Sequence, residues 1–183
     1  VYKRQIEVLL ADRLVGRLAL TKEGLCAFEY APDWLGSGFS ISPFELPLRS
    51  GVFIAKPRPF EGGFGVFDDC LPDGWGLLIV DRYLQQKGIN PRALTLLDRL
   101  ALVGSSGRGA LEFRPDHSVV TRQDYADFEK LALEAERILG SDEYRGKGIE
   151  EFQDRGGSPG GARPKIFARY EGKEWLVKFR AKR

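Results

Sequence analysis

Methionine is absent from these 183 residues, histidine occurs once, as His117, and cysteine twice, as Cys26 and Cys70. Two widely spaced cysteines and one histidine cannot assemble a structural zinc site, and they do not resemble the dense framework of a secreted disulfide scaffold. A reducing cytosol suits them. No apolar run is long enough to span a bilayer, and residues 1–11 lack the basic-then-apolar layout of a signal peptide, so the expectation is a soluble, cytoplasmic protein with no membrane partner. His117 follows Arg114-Pro115-Asp116 in an expected loop. With no second histidine or paired cysteine at hand it is read as a surface residue, neither a metal ligand nor the base of a nucleophile. The missing methionine, with Val1 at the start, predicts that translation begins upstream of this chain.

What is present is ordinary globular composition, 43% hydrophobic and 30% charged, enough for one large or two small domains. The net charge of +2 hides an asymmetry. From Arg155 onward Arg155, Arg163, Lys165, Arg169, Lys173, Lys178, Arg180, Lys182 and Arg183 face only Glu171 and Glu174, and the rest of the chain is net acidic. A basic end suits an anionic ligand, a solvated face or nucleic acid.

Residues 5–11, 14–20 and 25–31 are β-rich and separated by turn residues, which predicts an antiparallel meander. Residues 37–59 are rich in Gly, Pro and Ser and read as short strands broken by turns, residues 51–56 being the clearest. Asp73 is read as the cap of a helix running to about Lys87, with Trp75, Leu78, Ile79 and Tyr83 on one stripe and Gly88 as its stop. A second helix is expected from Asn90-Pro91 to Val103, a strand over residues 110–114, and a third helix over residues 121–140 with Tyr125, Phe128, Leu131, Ala135 and Ile138 inward. Residues 141–159 are polar and glycine-rich without apolar periodicity and read as a linker, which puts a domain boundary near residue 145. Asp68 and Asp69 are read as solvated turn charges, and neither they nor Asp73 as a metal cluster or an acid–base pair.

The densest chemical signal is Gly156-Gly157-Ser158-Pro159-Gly160-Gly161-Ala162-Arg163-Pro164-Lys165. Backbone so poor in side chains can approach a phosphate closely, with the amides of Gly160, Gly161 and Ala162 toward the anion and Lys165 as countercharge. The bland alternative is a flexible linker. Two β-rich runs follow, joined at Glu171-Gly172-Lys173-Glu174, and the second carries Lys178 in Trp175-Leu176-Val177-Lys178-Phe179. Between Val177 and Phe179, Lys178 is expected to be half-buried and to need an anion or a route to water; an exposed edge strand is the alternative. A G-x-x-x-x-G-K-[ST] loop begun at Gly156 would need lysine at position 162, where Ala162 stands, so the P-loop NTPase reading fails. A glycine loop with a lysine on a nearby strand is the protein-kinase arrangement.

These segments resemble the HipA-like serine/threonine kinases, the toxin halves of bacterial toxin–antitoxin pairs. Gly65-Val66-Phe67-Asp68-Asp69-Cys70-Leu71-Pro72-Asp73-Gly74-Trp75-Gly76 is similar to that family's N-terminal signature, as is Leu97-Asp98-Arg99-Leu100-Ala101-Leu102-Val103-Gly104 through Gly109-Ala110-Leu111-Glu112-Phe113. The resemblance implies an α+β fold: a HipA-like N-terminal subdomain of mixed β-meander and helices over residues 1–145, then the opening hairpin of a kinase-like ATP lobe over 146–183, with the C-terminal helical lobe outside this chain. It implies transfer of the ATP γ-phosphate, with Mg2+, to serine or threonine of a protein, glutamyl-tRNA synthetase being a known family target. Gly160, Gly161, Ala162, Lys165 and Lys178 would bind the ATP phosphates. Ser158 would be the autophosphorylated residue that ejects the loop, although Pro159 and Pro164 depart from the family's usual residues there.

The catalytic base and metal ligands would lie beyond Arg183, so the expectation for this chain alone is an inactive fragment. A helix-turn-helix antitoxin is the implied partner, and DNA only indirectly through it. Two other readings stand beside the kinase: a non-catalytic module that holds an antitoxin or inhibits a separate kinase subunit, and direct nucleic-acid binding.

Overall fold

A computed structural model describes residues 5–118, 127–141, 144, 146, 148–156 and 161–180. The fold is α+β and its chain contacts divide into two units. The described parts of Val1–Leu71 and Leu94–Ser118 form the first, those of Pro72–Ala93 and Val119–Arg183 the second. The chain thus changes unit at 71/72, 93/94 and 118/119 instead of near residue 145, because the helix after Pro72 buries its apolar stripe with residues more than fifty positions further on.

The first unit is an antiparallel sheet of β1 (Gln5–Leu10), β2 (Arg13–Leu20), β3 (Cys26–Tyr30), β4 (Val52–Ile54) and β5 (Leu111–Arg114), in the order β4-β3-β2-β1-β5. Ala11 and Asp12, both with positive φ, make the two-residue turn between β1 and β2, the backbone twist a tight hairpin requires. Period-two alternation places Ile6, Val8, Leu18, Phe28, Tyr30 and Phe113 in one core with Leu97, Leu100 and Val103 of α4 (Leu96–Val103). Phe67 of the short α2 (Gly65–Asp68) anchors an aromatic cluster, its ring centroid 5.5 Å from Phe28 and 6.4 Å from Phe113.

Around this unit one helix is added to the sequence reading and one expected helix start is corrected. A helix, α1 (Pro32–Ser37), started by proline at its first position, precedes the stretch read as short strands and turns, which holds the bridge between Ser42 and Leu46 and the strand β4. The helix expected from Asn90-Pro91 is a 3-10 turn, Pro91–Ala93, and α4 begins only at Leu96. There Thr95 and Asp98 form a reciprocal capping box: Asp98 N–H donates to Thr95 Oγ1 at 3.2 Å, and Thr95 N–H donates to Asp98 Oδ2 at 3.0 Å. The Thr-x-x-Asp spacing marks that start in the sequence.

The second unit contains α3 (Gly74–Gln86), α5 (Phe128–Gly140), α6 (Gly148–Gly156) and a two-stranded antiparallel sheet of β6 (Lys165–Tyr170) and β7 (Lys173–Lys178). Trp75 and Ile79 of α3, Leu131, Ala135 and Ile138 of α5, Ile149 and Phe152 of α6, Ile166 and Ala168 of β6, and Phe179 form its core. Trp75 and Phe179 both meet the ring of Phe152 edge-on, at 5.1 and 5.9 Å. Helix α6 overturns the linker reading of residues 141–159: only two strongly apolar residues, Ile149 and Phe152, mark it, and both are fully buried. In α5, Asp127 caps the N-terminus by accepting Lys130 N–H at 3.0 Å, and Phe128 is 39% exposed, not core. Tyr125 and the expected start of that helix lie outside the described residues. Among the described residues, no helix is long and apolar enough to cross a membrane.

Candidate functional site

The hairpin of β6 and β7 positions the two lysines. Glu171 and Gly172, both with positive φ, close a two-residue turn, and the resulting register sets Lys165 directly opposite Lys178. Directly opposed side chains project from the same face. Lys178 lies in the open, as in the exposed-edge alternative, and Lys165 is the buried one, 4% exposed. Burial, and then the charge of Lys178, push the Lys165 ammonium below the ordinary lysine range, and the Asp73 carboxylate pulls partly the other way.

Residues 161–165 are held from several sides. Gly161, at φ +92°, donates its N–H to Asp73 Oδ1 at 2.8 Å. Its carbonyl accepts Trp75 N–H at 3.1 Å and Lys165 Nζ at 2.9 Å. The indole Nε1–H of Trp75 donates to the Lys165 carbonyl at 3.2 Å, so the first turn of α3 grips both ends of this short stretch. On the other side, Phe179 N–H donates to the Pro164 carbonyl and Arg163 Nε donates to the Phe179 carbonyl, each at 2.9 Å. Gly74 makes the approach possible: a Cβ there would stand 2.6 Å from Gly161 C and 2.8 Å from Ala162 N.

Gly161, Ala162, Lys165 and Lys178 are therefore gathered at one end of the β6–β7 hairpin, with Ala162 exposed. Gly160 and Ser158 lie outside the described residues. Asp73, Gly74 and Trp75 are what sequence reasoning missed. Asp73 does stand at the N-cap position, but its side chain makes no capping bond and reaches Gly161 instead. Trp75 is core, as expected, and is also a double donor to the loop. The Leu71-Pro72-Asp73-Gly74-Trp75-Gly76 block was visible as a motif, but its partner lies 88 residues away and no local periodicity joins the two.

Electrostatically, the site is two ammonium groups, one buried and one open, facing each other beside backbone held by an acidic side chain. Like charges directly opposed across a strand pair are unfavourable, and an anion placed between them relieves that repulsion.

The fold resembles that of HipA from Shewanella oneidensis MR-1, in a structure of the toxin–antitoxin system with HipB and operator DNA, at a TM-score of 0.54 and 23% identity. The likeness covers 93% of this chain, which spans 37% of that protein's chain. The family model of the HipA N-terminal domain matches residues 6–114, well over half of the chain, and includes the whole five-stranded sheet except the first residue of β1. The chain belongs to the HipA N-terminal domain family.

Proposed function

We propose that this chain is the N-terminal portion of a HipA-like serine/threonine protein kinase and that its second unit carries the phosphate-binding end of the ATP site. The observation that carries this reading is the facing pair Lys165 and Lys178 beside the tethered Gly161. Three ordinary roles account poorly for it: a solvated face does not bury one of its two lysines, a flexible linker is not gripped at five points, and a nucleic-acid stripe would spread its charges along the surface.

In this reading the amides of Gly160, Gly161 and Ala162 and the ammonium groups of Lys165 and Lys178 hold the ATP phosphates, and Ser158 is the regulatory phosphoacceptor. Held amides and cations lower the barrier to phosphoryl transfer because they need little reorganisation as charge shifts from nucleophile to leaving group. Among the described residues, no group of three or more His, Cys, Asp or Glu side chains could hold a metal ion. The residues that would ligate magnesium are therefore not among those described, and the ion, when bound, would supply charge neutralisation to the phosphates. A helix-turn-helix antitoxin is the proposed partner, supported by the HipB and operator DNA present with the Shewanella oneidensis HipA. DNA would be reached through that partner, and glutamyl-tRNA synthetase is the first protein substrate to try.

The test is phosphate incorporation and intact mass of the native protein containing this chain, incubated with ATP and magnesium. Wild type should gain phosphate, Ser158→Ala should not be autophosphorylated, and Lys178→Ala should incorporate about a hundredfold more slowly, the usual penalty for losing one group that stabilises developing charge. Equal labelling of all three would remove these assignments. No labelling of any, with an antitoxin still retained, would favour the non-catalytic module.

A further inference from the structure

The amide assigned above to a phosphate already carries an anion. Asp73 Oδ1 accepts Gly161 N–H at 2.8 Å, while Lys165 Nζ donates to the carbonyl of the same glycine at 2.9 Å. The two groups that an incoming phosphoryl oxygen would use are thus turned toward internal partners. Asp73 is exposed, so its carboxylate can swing into water when it is displaced. The contact is also built into the backbone. Gly74 sits at φ +45°, and a Cβ there would collide with the peptide between Gly161 and Ala162, so the acidic residue and its glycine form one close-approach unit. A carboxylate serving only to cap α3 would accept an amide of the helix's own first turn, and the Asp73 side chain does not.

We propose that Asp73 is an internal stand-in for phosphate: its carboxylate latches the glycine loop through Gly161 N–H and competes with the nucleotide for that donor. The proposal rests on the nucleotide reading of this site. Nucleotide entry then exchanges one anion for another at Gly161, and the negative charge of Asp73 opposes the incoming phosphates until it swings away. Asp73 is a positioning residue, and the sign of its effect separates it from a structural role: a strut would support binding, whereas a competitor weakens it.

Calorimetric titration with inorganic tripolyphosphate, which tests the anion without the base, is compared for the full chain and its Asp73→Asn and Asp73→Ala variants. Asparagine keeps the acceptor and the shape but removes the charge, so it should fold as wild type does and bind on the order of threefold tighter, the worth of one exposed charge interaction. Alanine also removes the acceptor, and exchange of the Gly161 amide, read by NMR in ligand-free protein, should become faster. Wild-type binding with equal or weaker binding by Asp73→Asn would overturn the competition while leaving the nucleotide reading intact. Binding by none of the three proteins would overturn that reading and the competition together. Unchanged Gly161 exchange in Asp73→Ala would overturn the latch whatever the titrations show.

Discussion

Gly104 and Asp116 show how much one residue can be constrained by another that the sequence keeps apart. Gly104 ends α4 at φ +50° and ψ −121°, and a Cβ there would lie 1.8 Å from Asp116 Oδ1. That carboxylate accepts Ser105 N–H at 3.0 Å and Ser118 N–H at 2.8 Å, closing the turn that leads into β5. Gly104→Ala should therefore lower the stability of the first unit by about 2–3 kcal/mol, the scale of a residue forced into a glycine-only conformation; urea unfolding measures it. Partial burial alone would raise the Asp116 carboxyl, but the hydrogen bonds from Ser105 and Ser118 outweigh it and hold the group below the usual aspartate range. A carboxyl lowered by folding stabilises above its unfolded value of about 3.9, and that contribution fades as pH falls through the lower folded value. Acid melting curves should accordingly lose part of their slope below about pH 4 in Asp116→Asn.

At the scale of elements, helix starts and faces decide more than helix propensity does. The capping box at Thr95 satisfies amides that α4 would otherwise leave open, so Thr95→Ala should cost about 1 kcal/mol by denaturant titration. Helix α6 depends almost wholly on Ile149 and Phe152, with the exposed ion pair between Lys87 and Glu150 at 2.9 Å adding little. Phe152→Ala should cost about 3–5 kcal/mol, since two aromatic neighbours, Trp75 and Phe179, lose their contact and leave a cavity. The meander β1–β3, the helix α3 and the hairpin β6–β7 were legible because period-two and 3.6-residue patterns and turn residues act locally. Helix α6 was not, because two apolar residues among charges satisfy no periodic pattern until a partner surface is known. The burial of Lys165 rather than Lys178 was hidden for a related reason: alternation shows that a strand has two faces and not which face another element covers.

For the whole molecule, the two cores share no residue, and each falls within one unit. Local opening should follow that division. Phe152→Ala is expected to raise amide exchange across Gly148–Gly156 and Lys165–Tyr170 while protection in β1, β2 and β3 stays unchanged; loss of protection throughout would show that the two cores unfold as one. By itself the sequence determined the β1–β3 meander, the helix α3, the family signature blocks, and the glycine-rich stretch with its basic hairpin, because each is written in short-range spacing and residue chemistry. Only the tertiary structure decided that Asp73, Gly74 and Trp75 hold Gly161 and that Lys165 is the buried lysine. Those contacts join segments nearly ninety residues apart, and only folding brings such segments within hydrogen-bond reach.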